Sequence, residues 1–124
     1  MEKIFTDKAT APGGHYSQAV RHGDTVYVSG QLGFEPGSSE PVIGSLEQQV
    51  RNCLGNLSAI LEEAGSSLDK TLKVTIYVSD VALWPEVNRI YSEVMGDHRP
   101  ARTIVPCNTL HHGFEVEIDA IATV

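Results

Sequence analysis

Cysteine is scarce in this chain. Cys53 and Cys107 are the only two among 124 residues, and they fall in different predicted elements. Such a pair reads as free, part-buried thiols and not as a disulfide framework. No apolar run approaches the roughly 20 residues that a membrane-spanning helix needs. The N-terminus, Met1-Glu-Lys-Ile-Phe, has neither the apolar stretch of a signal peptide nor the Arg-rich, acid-poor character of a transit peptide. The expected location is the cytoplasm, with no membrane partner. Clustered basic residues are missing as well. The formal net charge is -7, which repels phosphate backbones and argues against nucleic acid as a partner. No G-x-G-x-x-G, P-loop or G-x-S-x-G motif occurs, so a nucleotide cofactor and serine-hydrolase chemistry lack support. HxxxH and CxxC spacings are absent too. His111 and His112 are neighbours that point opposite ways in an extended chain, so no metal and no other cofactor is expected.

What remains is an ordinary globular composition, 41% hydrophobic, in a length that suits one domain over residues 1–124. Ser45 followed by Gln48 is a capping box. Leu46, Val50, Cys53, Leu54, Leu57, Leu61 and Ala64 then recur at helical spacing, and Gly65 closes the helix. A second helix starts near Pro85, with Val87, Ile90, Tyr91 and Val94 as its stripe and Gly96 at its end. Alternation predicts strands over 25–31, 71–79, 103–109 and 114–123, with weaker ones over 3–6 and 18–21. Residues 34–44, rich in Pro, Gly and Ser, read as a long surface loop. The order βββαβαββ defines an α+β fold with one mixed sheet.

Two helices can cover only one face of such a sheet. In the strand over 71–79, Leu72, Val74, Ile76 and Val78 should face them, leaving Thr71, Lys73, Thr75 and Tyr77 opposite. Thr25, Tyr27 and Ser29 should likewise oppose Val26 and Val28. That second face is neither strongly apolar nor strongly charged, which suits a subunit interface.

Chemistry concentrates near the C-terminus. Arg102 follows Pro100-Ala101 at the start of a strand. A guanidinium offers a rigid fork that matches a carboxylate and stays charged. With a period of two, Glu115, Glu117 and Asp119 share one face of the last strand. Crowded acids resist simultaneous ionisation, which raises a pKa toward the range of acid/base work.

The chain resembles the RidA/YjgF family, the reactive-intermediate imine deaminases, also known as endoribonuclease L-PSP-like proteins. The pieces that carry the resemblance are Ala11-Pro12 with Tyr16-Ser-Gln-Ala-Val20, then Val26-Tyr-Val-Ser-Gly-Gln31. Gln49, Asn56 and Ala64-Gly65 follow, then Val87-Asn88, Tyr91, Pro100-Ala-Arg102 and Val116-Glu-Ile118. Their order and spacing are together more specific than any one of them. The resemblance implies a chorismate-mutase-like homotrimer, three sheets around an axis, with a pocket between each pair of subunits. It implies catalytic roles for Arg102 and Glu117, and pocket positions for Tyr16, Ser29, Gly30 and Asn88. Many relatives carry a cysteine two residues after the arginine. Here Ile104 stands there, able to contribute through its backbone, and Cys107 has the opposite strand parity. Two prolines usual in relatives are replaced, by His15 and by His111.

By this resemblance the protein hydrolyses enamines and imines such as 2-aminoacrylate, 2-iminopropanoate and 2-iminobutanoate to 2-keto acids and ammonia. Two other readings remain open. One is a non-catalytic trimer that binds a small carboxylate or acts as a regulator or chaperone. The other is a specialised deaminase of a bulkier enamine acid, such as an aminomuconate-like compound, which the two histidines motivate.

Overall fold

The computed structural model describes residues 1–124. Strands β1 (Glu2–Ile4), β2 (Ala19–His22) and β3 (Thr25–Leu32) come first. Helix α1 (Leu46–Glu63), β4 (Thr71–Val78), helix α2 (Trp84–Met95), β5 (Ala101–Pro106) and β6 (Val116–Thr123) follow. The six strands form one sheet in the order β1-β2-β3-β6-β4-β5. Only β4 and β5 run parallel, as a strand–helix–strand crossover requires. The predicted order and fold class are those observed.

Each helix forms where its punctuation predicts. Ser45 Oγ accepts from the Gln48 amide at 3.1 Å. The Gln48 side chain does not return the bond and reaches Asn52 instead, so only half of the capping box is made. Gly65 (φ 85°) and Gly96 (φ 63°) take the left-handed turns that end the two helices. Val50, Cys53, Leu54, Leu57, Ile60 and Leu61 of α1 are buried, and α2 buries Val87, Ile90, Tyr91 and Met95. Both helices lie on one face of the sheet, against Val26, Val28, Val74, Ile76, Val78, Val116 and Ile118. Cys53 and Cys107 are free, and burial pushes the Cys53 thiol well up.

Two expectations fail in β4 and β5. Leu72 does not face the helices. It is 52% exposed, while Thr71 is buried. A bulge between Thr71 and Lys73 inserts one residue opposite Ala122 and Ile121, which reverses the alternation at the strand's start. Thr71 is accommodated inside because its hydroxyl donates to the Leu68 carbonyl at 2.8 Å. The strand predicted over 103–109 begins and ends earlier, at Ala101 and Pro106. Beyond it, the Cys107 amide still donates to Val78 at 2.8 Å.

No helix is long and apolar enough to cross a membrane. The sheet face away from the helices carries Tyr27, half-exposed, with Thr75, Tyr77, Glu117, Asp119 and Ile121 aligned by the strand registers.

Candidate active site

The site grows from an irregularity in β3. Val28 pairs with Ala120 and Gln31 with Ile118, so Ser29 and Gly30 together face a single residue of β6. This bulge brings the Gly30 backbone onto the Glu117 side chain. A Cβ at Gly30 would lie 3.0 Å from the Glu117 carboxyl carbon and closer still to Oε1. Glycine is therefore required by close approach. Ser29 Oγ donates to the Ser17 carbonyl at 2.6 Å, tying the bulge to the segment that carries Tyr16. The Tyr16 hydroxyl accepts the Gly13 amide at 3.2 Å. Tyr16, Ser29, Gly30, Phe34, His111 and Glu117 thus line one cleft of about 660 Å³.

Glu117 is half-buried there, and burial raises its carboxyl above the usual carboxylate range. Nearby Asp119 pushes the same way and His111 opposes. Asp119 is raised too, mainly by burial, although Tyr77 and Thr75 hydrogen bonds and Lys73 counteract. A carboxyl held in this way can both accept and return a proton nearer neutral pH. The expected trio of acids is a pair. Glu115 precedes β6, and its carboxylate accepts from Gln49 of α1 at 3.2 Å. The Gln49 side chain also accepts the Glu115 amide at 2.8 Å, which turns this acid away from its neighbours.

His111 and His112 do not lie in extended chain. They form a short 3-10 turn, His111–Gly113, in which His112 adopts φ 64°. Both rings therefore reach the same cleft, and His112 meets Phe34 edge-on with centroids 5.4 Å apart. No group of three or more His, Cys, Asp or Glu side chains could hold a metal ion.

Arg102 lies elsewhere. Pairing with Val74 puts it on the helix side of the sheet. Its guanidinium stands over the rings of Trp84 (4.6 Å) and Tyr91 (4.9 Å) and donates to Asn88 Oδ1 at 3.0 Å. Cation–π contacts and one hydrogen bond fix the fork without neutralising it. No carboxylate pairs with it, whereas Arg51 and Arg89 are engaged by Glu47 and Glu93. Arg102 and Asn88 line a second cleft of about 400 Å³ that contains no acid.

Sequence reasoning therefore selected residues that fall into two groups: Tyr16, Ser29, Gly30 and Glu117 in one cleft, Arg102 and Asn88 in the other. A single chain does not bring them together. Ile104 lines neither cleft. It packs against the core from β5, the edge strand of the sheet. Trp84 and Tyr91, the platform under Arg102, were not foreseen. The chain's only tryptophan, placed one helical face from Asn88 and Tyr91, was the available signal.

The comparisons agree with this architecture. A family model described as endoribonuclease L-PSP matches residues 6–124. A RutC family protein of Pyrococcus abyssi is 41% identical, over 98% of this chain and 95% of its own. The 2-iminobutanoate/2-iminopropanoate deaminase of Rattus norvegicus is 39% identical over 96% of this chain and 87% of its own. The crystal structure of RidA from an Antarctic Psychrobacter superimposes with a TM-score of 0.95 at 37% identity, covering 100% of both chains. The chain belongs to the RidA/YjgF (endoribonuclease L-PSP) family.

Proposed function

We propose that this protein hydrolyses small 2-imino and 2-enamino acids, of the 2-iminopropanoate and 2-iminobutanoate type, to 2-keto acids and ammonia. The observation that carries this reading is the half-buried Glu117, pressed onto Gly30 with its proton affinity raised. A protein that only binds carboxylates needs Arg102 but has no use for an acid kept at such a cost. The rat relative's name adds support for the substrate class.

Arg102 clamps the substrate carboxylate. Glu117 takes a proton from water as the oxygen adds to the carbon of the protonated imine, giving a neutral carbinolamine. It returns that proton to the nitrogen, the C–N bond breaks and ammonia leaves, and the carbinolamine hydroxyl gives its proton back to Glu117 as the carbonyl forms. Imine carbons are electrophilic already, so positioning and proton handling suffice.

The separation of the two groups supports a site completed by a second copy of the chain. In the homotrimer that we propose, the Arg102 and Asn88 of one subunit meet the Tyr16, Ser29, Gly30 and Glu117 of its neighbour across the uncovered sheet face. An RNA-cleaving reading is disfavoured by the net charge of -7 and by a Glu117 cleft lined by no Lys or Arg. The test is ammonia release from 2-iminobutanoate freshly made by a threonine dehydratase. Wild type must outpace buffer; equal rates would refute the assignment.

A further inference from the structure

Two features of the Arg102 cleft are not used by a monocarboxylate. The first is Arg99. It lines the cleft with Arg102, and it forms no ion pair, unlike Arg51 and Arg89 on the neighbouring helices. In a chain of net charge -7, two uncompensated guanidiniums at one acid-free cleft are a local excess of positive charge. Pro100 directly follows Arg99 and restrains its backbone, and only Pro100 and Ala101 separate the two arginines, so the second cation stays near the first. The second feature is the Tyr91 hydroxyl. Tyr91 is only 6% exposed, its ring lies under the Arg102 guanidinium, and its hydroxyl oxygen is buried with no hydrogen-bond partner. It is the only buried side-chain polar atom left in that state. Buried hydroxyls are nearly always satisfied, and an orphan that lines a cleft beside unpaired cations points to an acceptor supplied from outside.

We propose that Arg99 and the Tyr91 hydroxyl form a second anion-binding position beside Arg102, and that the substrates it selects are 2-imino acids with a second carboxylate. Arg102 holds the carboxylate next to the imine carbon, and Arg99 with Tyr91 receives the distal one. Ser92, also at the cleft, has its hydroxyl committed to the Asn88 carbonyl at 2.7 Å, and His98 Nε2 is engaged by Thr71 at 2.8 Å. Arg99 and Tyr91 are thus the donors that remain free. The imine-hydrolysis part rests on the deaminase reading; the binding part does not.

The experiment separates the two. The keto acids 2-oxobutanoate and 2-oxoglutarate are titrated by calorimetry into wild type, Arg99→Gln, Arg99→Lys and Tyr91→Phe. Wild type should bind 2-oxoglutarate about tenfold more tightly, the scale of one charge-assisted contact. Arg99→Gln should abolish that preference and Arg99→Lys restore part of it. Tyr91→Phe should weaken 2-oxoglutarate binding by about threefold or more. Equal affinities in wild type, or a preference unchanged in Arg99→Gln, would overturn the second position. Rates on 2-iminobutanoate and on 2-iminoglutarate, made by oxidising glutamate with an amino-acid oxidase, complete the test. If neither imine is consumed faster than in buffer while the 2-oxoglutarate preference persists, the reaction assignment falls and the anion position stands. If 2-iminobutanoate is consumed but Arg99→Gln leaves the ratio of the two rates unchanged, the anion position falls and the reaction stands.

Discussion

Gly30 and Glu117 compete for one small volume. The carboxylate sits where a methyl group at position 30 would go, and it is the movable end of a flexible side chain. Gly30→Ala should therefore fold and push the carboxylate aside. Misplacing a reacting group by an ångström costs about 10²-fold in rate, and turnover of 2-iminobutanoate should fall by that order while the melting temperature hardly moves. Glu117→Gln tests the same atom through its charge. Activity should drop by about 10²–10⁴-fold, the usual loss when a general acid/base is removed. Stability should move the other way. Burial raises this carboxyl in the folded state, so the folded protein binds the proton more tightly than the unfolded chain does. Its contribution to stability therefore declines as pH rises from the ordinary carboxyl range through the raised folded value. The amide escapes that loss. Glu117→Gln should melt above wild type at neutral pH, and the advantage should vanish near about pH 3.5, where the unfolded carboxyl is protonated as well. A variant less stable than wild type at neutral pH would show that the carboxylate is a structural anchor. The acid limb of wild-type kcat/KM should lie above the pH at which an ordinary glutamate titrates.

At the scale of elements, the cleft walls are loops held by buried side-chain amides. Asn56 of α1 is fully buried. Its Oδ1 accepts the Thr10 amide at 2.9 Å, and its Nδ2 donates to the Phe34 carbonyl at 2.9 Å. One side chain thus ties two loop walls of the Glu117 cleft to a helix. Asn56→Leu would strand the part-buried Thr10 amide and Phe34 carbonyl, at a cost of about 2 kcal/mol, measurable by urea unfolding. The rest of the element scale was legible to the degree that its physics is local. Helix limits followed from Ser45, Gly65 and Gly96, and strand parity followed from alternation through Val26, Val28, Val74, Ile76 and Val78. What failed was set by pairing. The bulge that turns Leu72 out exists only because β4 meets β6 in a given register. The 3-10 turn that sends both His111 and His112 into one cleft involves a left-handed residue with a side chain, which no pattern announces. Glu115 alternates correctly with Glu117 and is removed by Gln49, a partner distant in sequence. Arg102 and Glu117 were found as chemistry; that they would lie in different clefts depended on which sheet face each strand presents.

That separation has a consequence for the whole molecule. Arg102 is on the helix side of the sheet near its β5 edge, and Glu117 is on the uncovered side. If one chain were to hold a carboxylate at Arg102 and act on its neighbouring carbon with Glu117, the sheet itself would have to be crossed. A cyclic trimer, in which heterologous contacts close into a ring, removes the obstacle by pairing the Arg102 of one subunit with the Glu117 of the next. Light scattering should then give about three times the monomer mass. Complementation gives a sharper test. Arg102→Lys loses the bidentate fork and Glu117→Gln loses the base, so each variant alone should be nearly inactive. Co-expressed in equal amounts with different tags and purified as mixed trimers, they regain complete sites wherever an intact Arg102 faces an intact Glu117. Every mixed ring, whether two-to-one or one-to-two, has one interface of its three at which an intact Arg102 faces an intact Glu117. About a third of wild-type activity should return for rings purified through both tags. If both residues served a site within one subunit, no mixed trimer would contain an intact pair. Activity at the level of the separate variants, with trimers verified by both tags, would then rule out the shared site.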